Sequence, residues 1–258
     1  MTGTSGARRG ARQRQNSRAL TSLSWAAVAV VAAHAGPALT SCRPLRRNLT
    51  PRLAGVGRVD HVALTFDDGP DADSTPRVVQ LLKARNVEAT FFVLGSMLAR
   101  RPSLGRALVA AGHEVALHGW GHNCLLYRGP SATYDDLARA YDLIVDTCGT
   151  PPRWYRPPYG VLTTPALLAA RRLGVTPVIW TSWGCDWTAR ATGASVLATI
   201  ERRLEGGGTV LLHDADCTSA PEAWRSTCAA LPALIDNVRE RGLSIGPLRD
   251  HRIVAVRA

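Results

Sequence analysis

The chain has 258 residues, 46% of them hydrophobic, enough for one sizeable core as a single α/β barrel or two small domains. Its formal net charge is +11, but Arg8, Arg9, Arg12, Arg14, Arg18, Arg43, Arg46, Arg47, Arg52 and Arg58 all precede residue 59 in stretches without an acid, so the remainder is close to neutral. That distribution argues against a nucleic-acid-binding face on the folded part, and the lack of a repeat of about 20–50 residues argues against a solenoid.

Arginines 8–18 precede a small, apolar run from Leu23 to Leu39 that is interrupted by His34 and Gly36-Pro37. Such a run is short for a spanning helix, which needs about 20 residues, and suits an export signal better. Leu39-Thr40-Ser41-Cys42 is similar to a bacterial lipobox, in which the cysteine is lipidated. Residues 1–41 are therefore expected to be an export signal or membrane anchor. The chain is then a lipoprotein or secreted, and extracytoplasmic. Residues 42–58, basic and interrupted by Pro and Gly, read as a linker to a domain at 59–258.

From Val59 onward, strand-like and helix-like patterns alternate. Strands are expected at Val59–Phe66, Ala89–Leu94, His113–His118, Trp154–Arg156, Thr176–Trp180, Thr209–Leu212 and Ser244–Gly246. Helices are expected near Ser74–Arg85, Met97–Ala111, Ala132–Cys148, Thr164–Leu173, Ala194–Glu205 and Thr227–Arg241, the fourth opening on a Thr164 cap and stopping at Gly174. The alternation predicts an α/β fold, a distorted (β/α) barrel of about seven parallel strands in a single domain, with a doubly wound open sheet as the alternative. No Gly-rich phosphate loop follows a strand, which weakens a nucleotide-binding version.

Polar residues collect where strands end, the face that carries the chemistry of a parallel barrel. Thr65-Phe66-Asp67-Asp68-Gly69-Pro70 sets two carboxylates at the end of the first strand. Asp, Gly and Pro are ordinary turn residues, but a turn beginning at Asp67 lets both side chains enter one cleft, as an acid/base pair or beside a cation. His118 and His122 lie four apart in a Gly-containing loop, and with Asp68 they make a two-His, one-carboxylate set suited to zinc or a similar divalent metal. Arg156, in a Pro-stiffened strand end, is placed to pair with a carboxylate. Trp180, Trp183 and Trp187 around Asp186 are either packing residues or a sugar platform. His213-Asp214 ends a further strand, while His61 and His113 read as structural.

In order and spacing, Thr65–Pro70, His118…His122, Arg156-Pro157-Pro158-Tyr159, Asp186-Trp187 and Leu211-Leu212-His213 resemble the motifs of the NodB-type polysaccharide deacetylases, carbohydrate esterase family four. The resemblance covers roughly residues 59–250. It implies a metal-dependent hydrolase, zinc its most suitable ion, that removes N-acetyl and possibly O-acetyl groups from an extracellular or cell-wall polysaccharide such as peptidoglycan or a chitin-like glycan. By the same resemblance Asp67 is the base. Asp68, His118 and His122 are the metal ligands, and Arg156 orients the base. The Tyr159 backbone N–H contacts the oxyanion. His213 is the acid tuned by Asp186, and Trp187 and Leu211 line the acetyl pocket. Two positions depart from the pattern. Gly119 replaces the usual Ser or Thr, which puts loop stability in question, and Trp183 replaces an Asp, which points to changed specificity. The competing expectations are a catalytically silent carbohydrate-binding protein and an anchored structural protein. The expected partners are the acetylated glycan and, through the N-terminal segment, a membrane; no nucleic acid is expected. Export permits disulfides, and Cys217 and Cys228, bracketing a ten-residue loop, are the favoured pair.

Overall fold

The computed structural model describes residues 25–253 except Ala26. Eight parallel strands form one curled sheet: β1 (His61–Asp67), β2 (Thr90–Leu94), β3 (Glu114–Gly119), β4 (Trp154–Tyr155), β5 (Thr176–Pro177), β6 (Ser182–Trp183), β7 (Thr209–His213) and β8 (Ser244–Gly246). Seven run in the order β5-β4-β3-β2-β1-β7-β6, and β8 pairs with the first half of β1, whose second half pairs with β2. The expected distorted α/β barrel is therefore observed, with the sheet left open between β5 and β6.

Burial of both faces of β1 follows from strand alternation. Val62, Leu64 and Phe66 enter the outer core shared with the helices, together with Phe91, Leu117, Tyr155, Val210 and Leu212. The opposite parity points inward. Ala63, Phe92, Ala116, Trp154, Val178, Leu248 and Ile253 fill the lower barrel as a second apolar cluster. Asp67, His118, Arg156 and His213 continue that inward parity at the upper ends of the same strands.

Among the described residues, the helices from residue 43 onward are α1 (Arg43–Leu49), α2 (Thr75–Ala84), α3 (Gly95–Arg100), α4 (Pro102–Ala110), α5 (Pro130–Cys148), α6 (Thr164–Leu173), α7 (Gly193–Glu201) and α8 (Trp224–Glu240). The single helix expected over 97–111 is two, because Pro102 disfavours a helical Arg101. The α6 cap is Thr163, one residue before the expected one; its hydroxyl accepts from Ala166 N, and Gly174 closes the helix at φ 71°. The expected strand 176–180 shrinks to two residues, because Val178 N makes the last bond to β4, at Tyr155 O, and Ile179 N donates instead to Leu53 O. β6 was not anticipated.

The segment read as a linker is part of the fold. Arg46 is 4% exposed, Ala54 is 1% exposed, and Gly57 N donates to Gly207 O. Composition suggested a linker because the groups it packs on, such as the Trp180 and Gly207 carbonyls, lie far along the chain. Among the described residues no helix is long and apolar enough to cross a membrane, and the arginine-rich stretch 8–18 lies outside the described residues.

His61 and His113 are both buried. His251 Nε2–H is shared by the Gly55 and Gly207 carbonyls, so its Nδ1 accepts from His61 Nδ1–H at 2.9 Å. His113 Nδ1 accepts from Ala89 N.

Phe66 is fully buried and stacks on Phe91 at 5.0 Å between centroids. Phe66→Ala is expected to lower the unfolding free energy by about 3–5 kcal/mol, read from a denaturant titration.

Candidate active site and metal centre

Register alone brings the ends of β1 and β7 together: Asp67 sits opposite His213. Asp68 follows in the left-handed region at φ 81°, so the chain turns and both carboxylates enter one cleft instead of opposite faces. Both are buried, at 3% and 0% exposure.

Asp67 faces a fully buried arginine. Arg156 Nη1 donates to Asp67 Oδ1 at 2.6 Å and to Thr65 Oγ1 at 2.8 Å, and the guanidinium also donates to the Val178 and Ile179 carbonyls. Its guanidinium carbon lies 4.0 Å from the Phe92 ring centroid. The carboxylate is held in one orientation by charge-assisted bonds that cannot be shared with water.

Asp68, His118 and His122 form a separate group. Asp68 Oδ1 lies 3.4 Å from His118 Nε2 and 3.5 Å from His122 Nε2. His118 Nδ1–H donates to Arg156 O at 2.8 Å, which leaves Nε2 as the nitrogen facing Asp68. Asp68 Oδ2 accepts from Thr218 Oγ1 at 2.5 Å, whereas buried Oδ1 has no hydrogen-bond partner. One ligand atom from each of the three residues lies within 4.8 Å of the others. A divalent ion fits this set: the orphaned carboxylate oxygen, of a kind that is costly when buried alone, gains its missing partner. Burial works against ionising Asp68, but the close approach of His118 and the His213 and His122 imidazoles together outweigh it and hold the carboxyl well below its usual range. Burial, reinforced by His118, lowers His122 to about 4, which keeps it neutral and able to ligate.

His213 has the opposite setting. Its Nδ1–H donates to Asp186 Oδ1 at 3.0 Å, and its backbone N–H donates to Asp186 Oδ2 at 2.7 Å. Thr227 Oγ1 donates to the same Oδ2 at 2.6 Å. Burial would lower the histidine, but the charge and hydrogen bond of Asp186, with the Asp68 and Asp67 charges, together outweigh it and raise it to about 9. Trp187 meets its ring edge-on at 5.5 Å between centroids.

These groups open into a cavity of about 330 Å³ that is also lined by Tyr159, Trp180, Trp183, Leu211 and Ser219. Tyr159 adopts φ 59° at the rim. Trp183 stacks on Trp180 at 5.9 Å and meets Trp187 edge-on at 5.0 Å, so the residue that departs from the expected motif completes an aromatic wall. Gly119 has φ 108°, a conformation that favours glycine, and a Cβ there would lie 3.0 Å from Asp136 Oδ2. The same oxygen accepts from Trp120 N at 2.8 Å and braces the loop.

All ten residues singled out from the sequence therefore converge on this region. Thr65, quoted only as the start of its motif, had no role assigned, and Thr218 and Thr227 were missed, since an isolated threonine carries no spacing signal. Asp214, read only as a strand end, is fully buried. It accepts from Gly69 N and Thr75 Oγ1, tying the 69–75 turn to β7, and burial raises it to about 7. The favoured Cys217–Cys228 bridge is absent: both are free thiols, and Cys217 Sγ instead contacts Asp68 O at 3.6 Å. Thr218 and Cys217 brace this loop through Asp68 without a covalent link.

The polysaccharide deacetylase family matches residues 55–178. The chain is 37% identical over 212 residues to a chitooligosaccharide deacetylase of Bradyrhizobium, covering 79% of this chain and 94% of that one. It is 35% identical over 181 residues to the peptidoglycan-N-acetylglucosamine deacetylase PgdA of Listeria monocytogenes, covering 70% of this chain but 36% of that longer protein. Among solved structures, a family 4 carbohydrate esterase from Streptomyces lividans, in complex with acetate, superposes with a TM-score of 0.67 at 31% identity, over 77% of this chain and 98% of that one.

Thr218→Val removes the hydrogen-bond donor to Asp68 Oδ2 while keeping side-chain shape. Zinc affinity, measured by competition with a chromophoric chelator, is expected to fall about 10–100-fold, and Thr218→Ser to retain it.

Proposed function

Because the chain belongs to the polysaccharide deacetylase family, we propose that it is a divalent-metal-dependent hydrolase that releases acetate from N-acetylglucosamine units of an extracytoplasmic glycan. The observation that carries the reading is the β1–β7 register, which sets Asp67 and His213 side by side next to the Asp68, His118 and His122 group. The N-acetylglucosamine unit is the chemistry common to chitooligosaccharide and to the peptidoglycan target in the PgdA name. Aromatic faces on one wall suit a sugar ring, and polar groups opposite suit its amide.

Asp68, His118 and His122 would hold the ion, zinc by the character of a two-His, one-carboxylate set. When bound, it supplies Lewis-acid polarisation of the acyl carbonyl and a lowered water pKa. Asp67, fixed by Arg156, takes the proton of the attacking water. The Tyr159 N–H donates to the oxyanion as it forms. His213, protonated through Asp186, gives its proton to the departing sugar nitrogen, so an amine leaves rather than an amide anion. Trp187 and Leu211 enclose the acetyl methyl. Thr227 keeps Asp186 aligned, because it occupies the oxygen that also receives the His213 N–H.

The direct test is acetate release by the full chain from acetylated chitooligosaccharide and from peptidoglycan, with zinc and with chelator. Asp67→Asn and His213→Ala are each expected to lower kcat at least about 100-fold while zinc still binds, in line with the usual worth of a positioned base or acid. Full turnover in either variant would refute the assignments.

The acid role also sets a pH dependence. The protonated form of His213 is the active one, so kcat/KM falls as pH rises through its pKa, which lies above the ordinary 6.5. Asp186→Asn removes the charge that raises it. The alkaline limb of the pH profile is expected to move down by about one unit or more; an unmoved limb would show that another group titrates there.

A further inference from the structure

The segment ahead of the family-matched residues reaches the back of the reaction pocket. Arg46 is 4% exposed and, among the described residues, pairs with no carboxylate. Its Nη1 donates to Thr40 O at 2.8 Å and Ser41 O at 3.3 Å, and its Nη2 donates to Trp180 O at 3.0 Å. The guanidinium carbon also lies 5.7 Å from the Trp180 ring centroid. Burial, with the Arg43 and Arg156 charges beside it, lowers Arg46 to about 10, and among the described residues its hydrogen bonds all go to backbone carbonyls.

Neighbouring contacts reach the same wall. Ser41 Oγ donates to Gly160 O at 3.2 Å, Arg43 Nε donates to Thr181 O at 3.3 Å, and Leu53 O accepts from Ile179 N at 2.7 Å. Residues 178–181 are the stretch that crosses the open side of the barrel between β5 and β6. Arg156 grips that stretch from inside, at the Val178 and Ile179 carbonyls. Arg46 grips it from outside, at Trp180. The Trp180 ring is wedged against Gly160, where an added Cβ would come within 2.7 Å of its Cη2.

We propose that Arg46 is a positioning residue for substrate: by fixing Trp180 from behind, it sets the aromatic wall on which the acetylated sugar rests. The proposal rests on the deacetylase reading above. Trp180 lines the cavity and stacks on Trp183, Trp183 meets Trp187, and Trp187 meets His213, so the wall is one continuous set of contacts. Removing Arg46 leaves Arg156, Asp67 and the candidate metal ligands in place. The chemical step is therefore preserved and binding suffers. A mere anchor for α1 would lower stability and leave binding unchanged.

The test compares the full zinc-loaded chain with Arg46→Met and Arg46→Lys on acetylated chitooligosaccharide. Met keeps an unbranched stem without donors; Lys keeps the charge but cannot span the Thr40, Ser41 and Trp180 carbonyls together. KM is expected to rise about tenfold in Arg46→Met and less in Arg46→Lys, with kcat within about twofold in both. In parallel, Trp180 emission, taken as the difference between each protein and its Trp180→Phe counterpart, is expected to shift to the red as the indole loosens. Folded variants with unchanged KM and unchanged Trp180 emission would overturn the proposal, whatever their melting temperature. If the wild-type chain releases no acetate, the deacetylase reading has failed, and the emission difference alone decides the Arg46–Trp180 coupling. If Arg46→Met does not fold, Arg46→Lys carries both measurements.

Discussion

A guanidinium with no exposed surface facing a carboxylate with almost none is the arrangement on which the rest of this site depends. Taking both charges out of water costs several kcal/mol each unless every donor and acceptor is used. Arg156 uses its donors on Asp67, Thr65, Val178 and Ile179, and lays its flat face on Phe92. Its own carbonyl takes the His118 Nδ1 proton. One residue therefore fixes the orientation of a carboxylate, the tautomer of an imidazole and the path of the chain across the open side of the barrel. The apolar cluster of Ala63, Phe92, Ala116 and Trp154 beneath it is what keeps water from relaxing the arrangement.

Above that pair, environment separates chemically identical groups. Asp67 and Asp68 are adjacent in sequence, yet one faces an arginine and the other a pair of imidazoles and a threonine. His122 and His213 open into the same cavity, yet His122 is pushed down to about 4 by burial beside His118, and His213 is drawn up to about 9 by Asp186 behind it. A neutral imidazole and a protonated one thus coexist within one pocket because their neighbours differ. This is the pattern expected where titratable groups are assigned distinct roles in one reaction.

Much of this was legible in the sequence because strand parity and strand ends are local signals. Asp67, His118, Arg156 and His213 each close an apolar run, and a parallel sheet must bring such ends to one face. The supporting hydroxyls were not legible: Thr218 and Thr227 act across 150 and 41 residues, and nothing near them in sequence marks a partner. Residues 42–58 misled for the same reason, since arginine, proline and glycine describe a linker unless distant carbonyls are known to be waiting. The Cys217–Cys228 expectation failed on a different point. Short spacing permits a bridge, but the Cys217 thiol is directed at Asp68 O in the folded loop.

The open side of the barrel gives these misreadings a common meaning. A closed barrel would need no support between β5 and β6, and its upper cavity would be filled by inward side chains. Here the chain crosses that gap in four residues, 178–181, one of them a tryptophan that faces the cavity. Such a crossing has sheet hydrogen bonds on one side at most, so its remaining carbonyls and amides must find partners elsewhere. Arg156 supplies them from within; Arg43, Arg46 and Leu53 supply them from without. The basic character of the N-terminal segment is thus partly an answer to unpaired backbone carbonyls rather than to any external anion. The cavity can stay open because the segment outside it takes over the satisfaction that a further strand would otherwise provide.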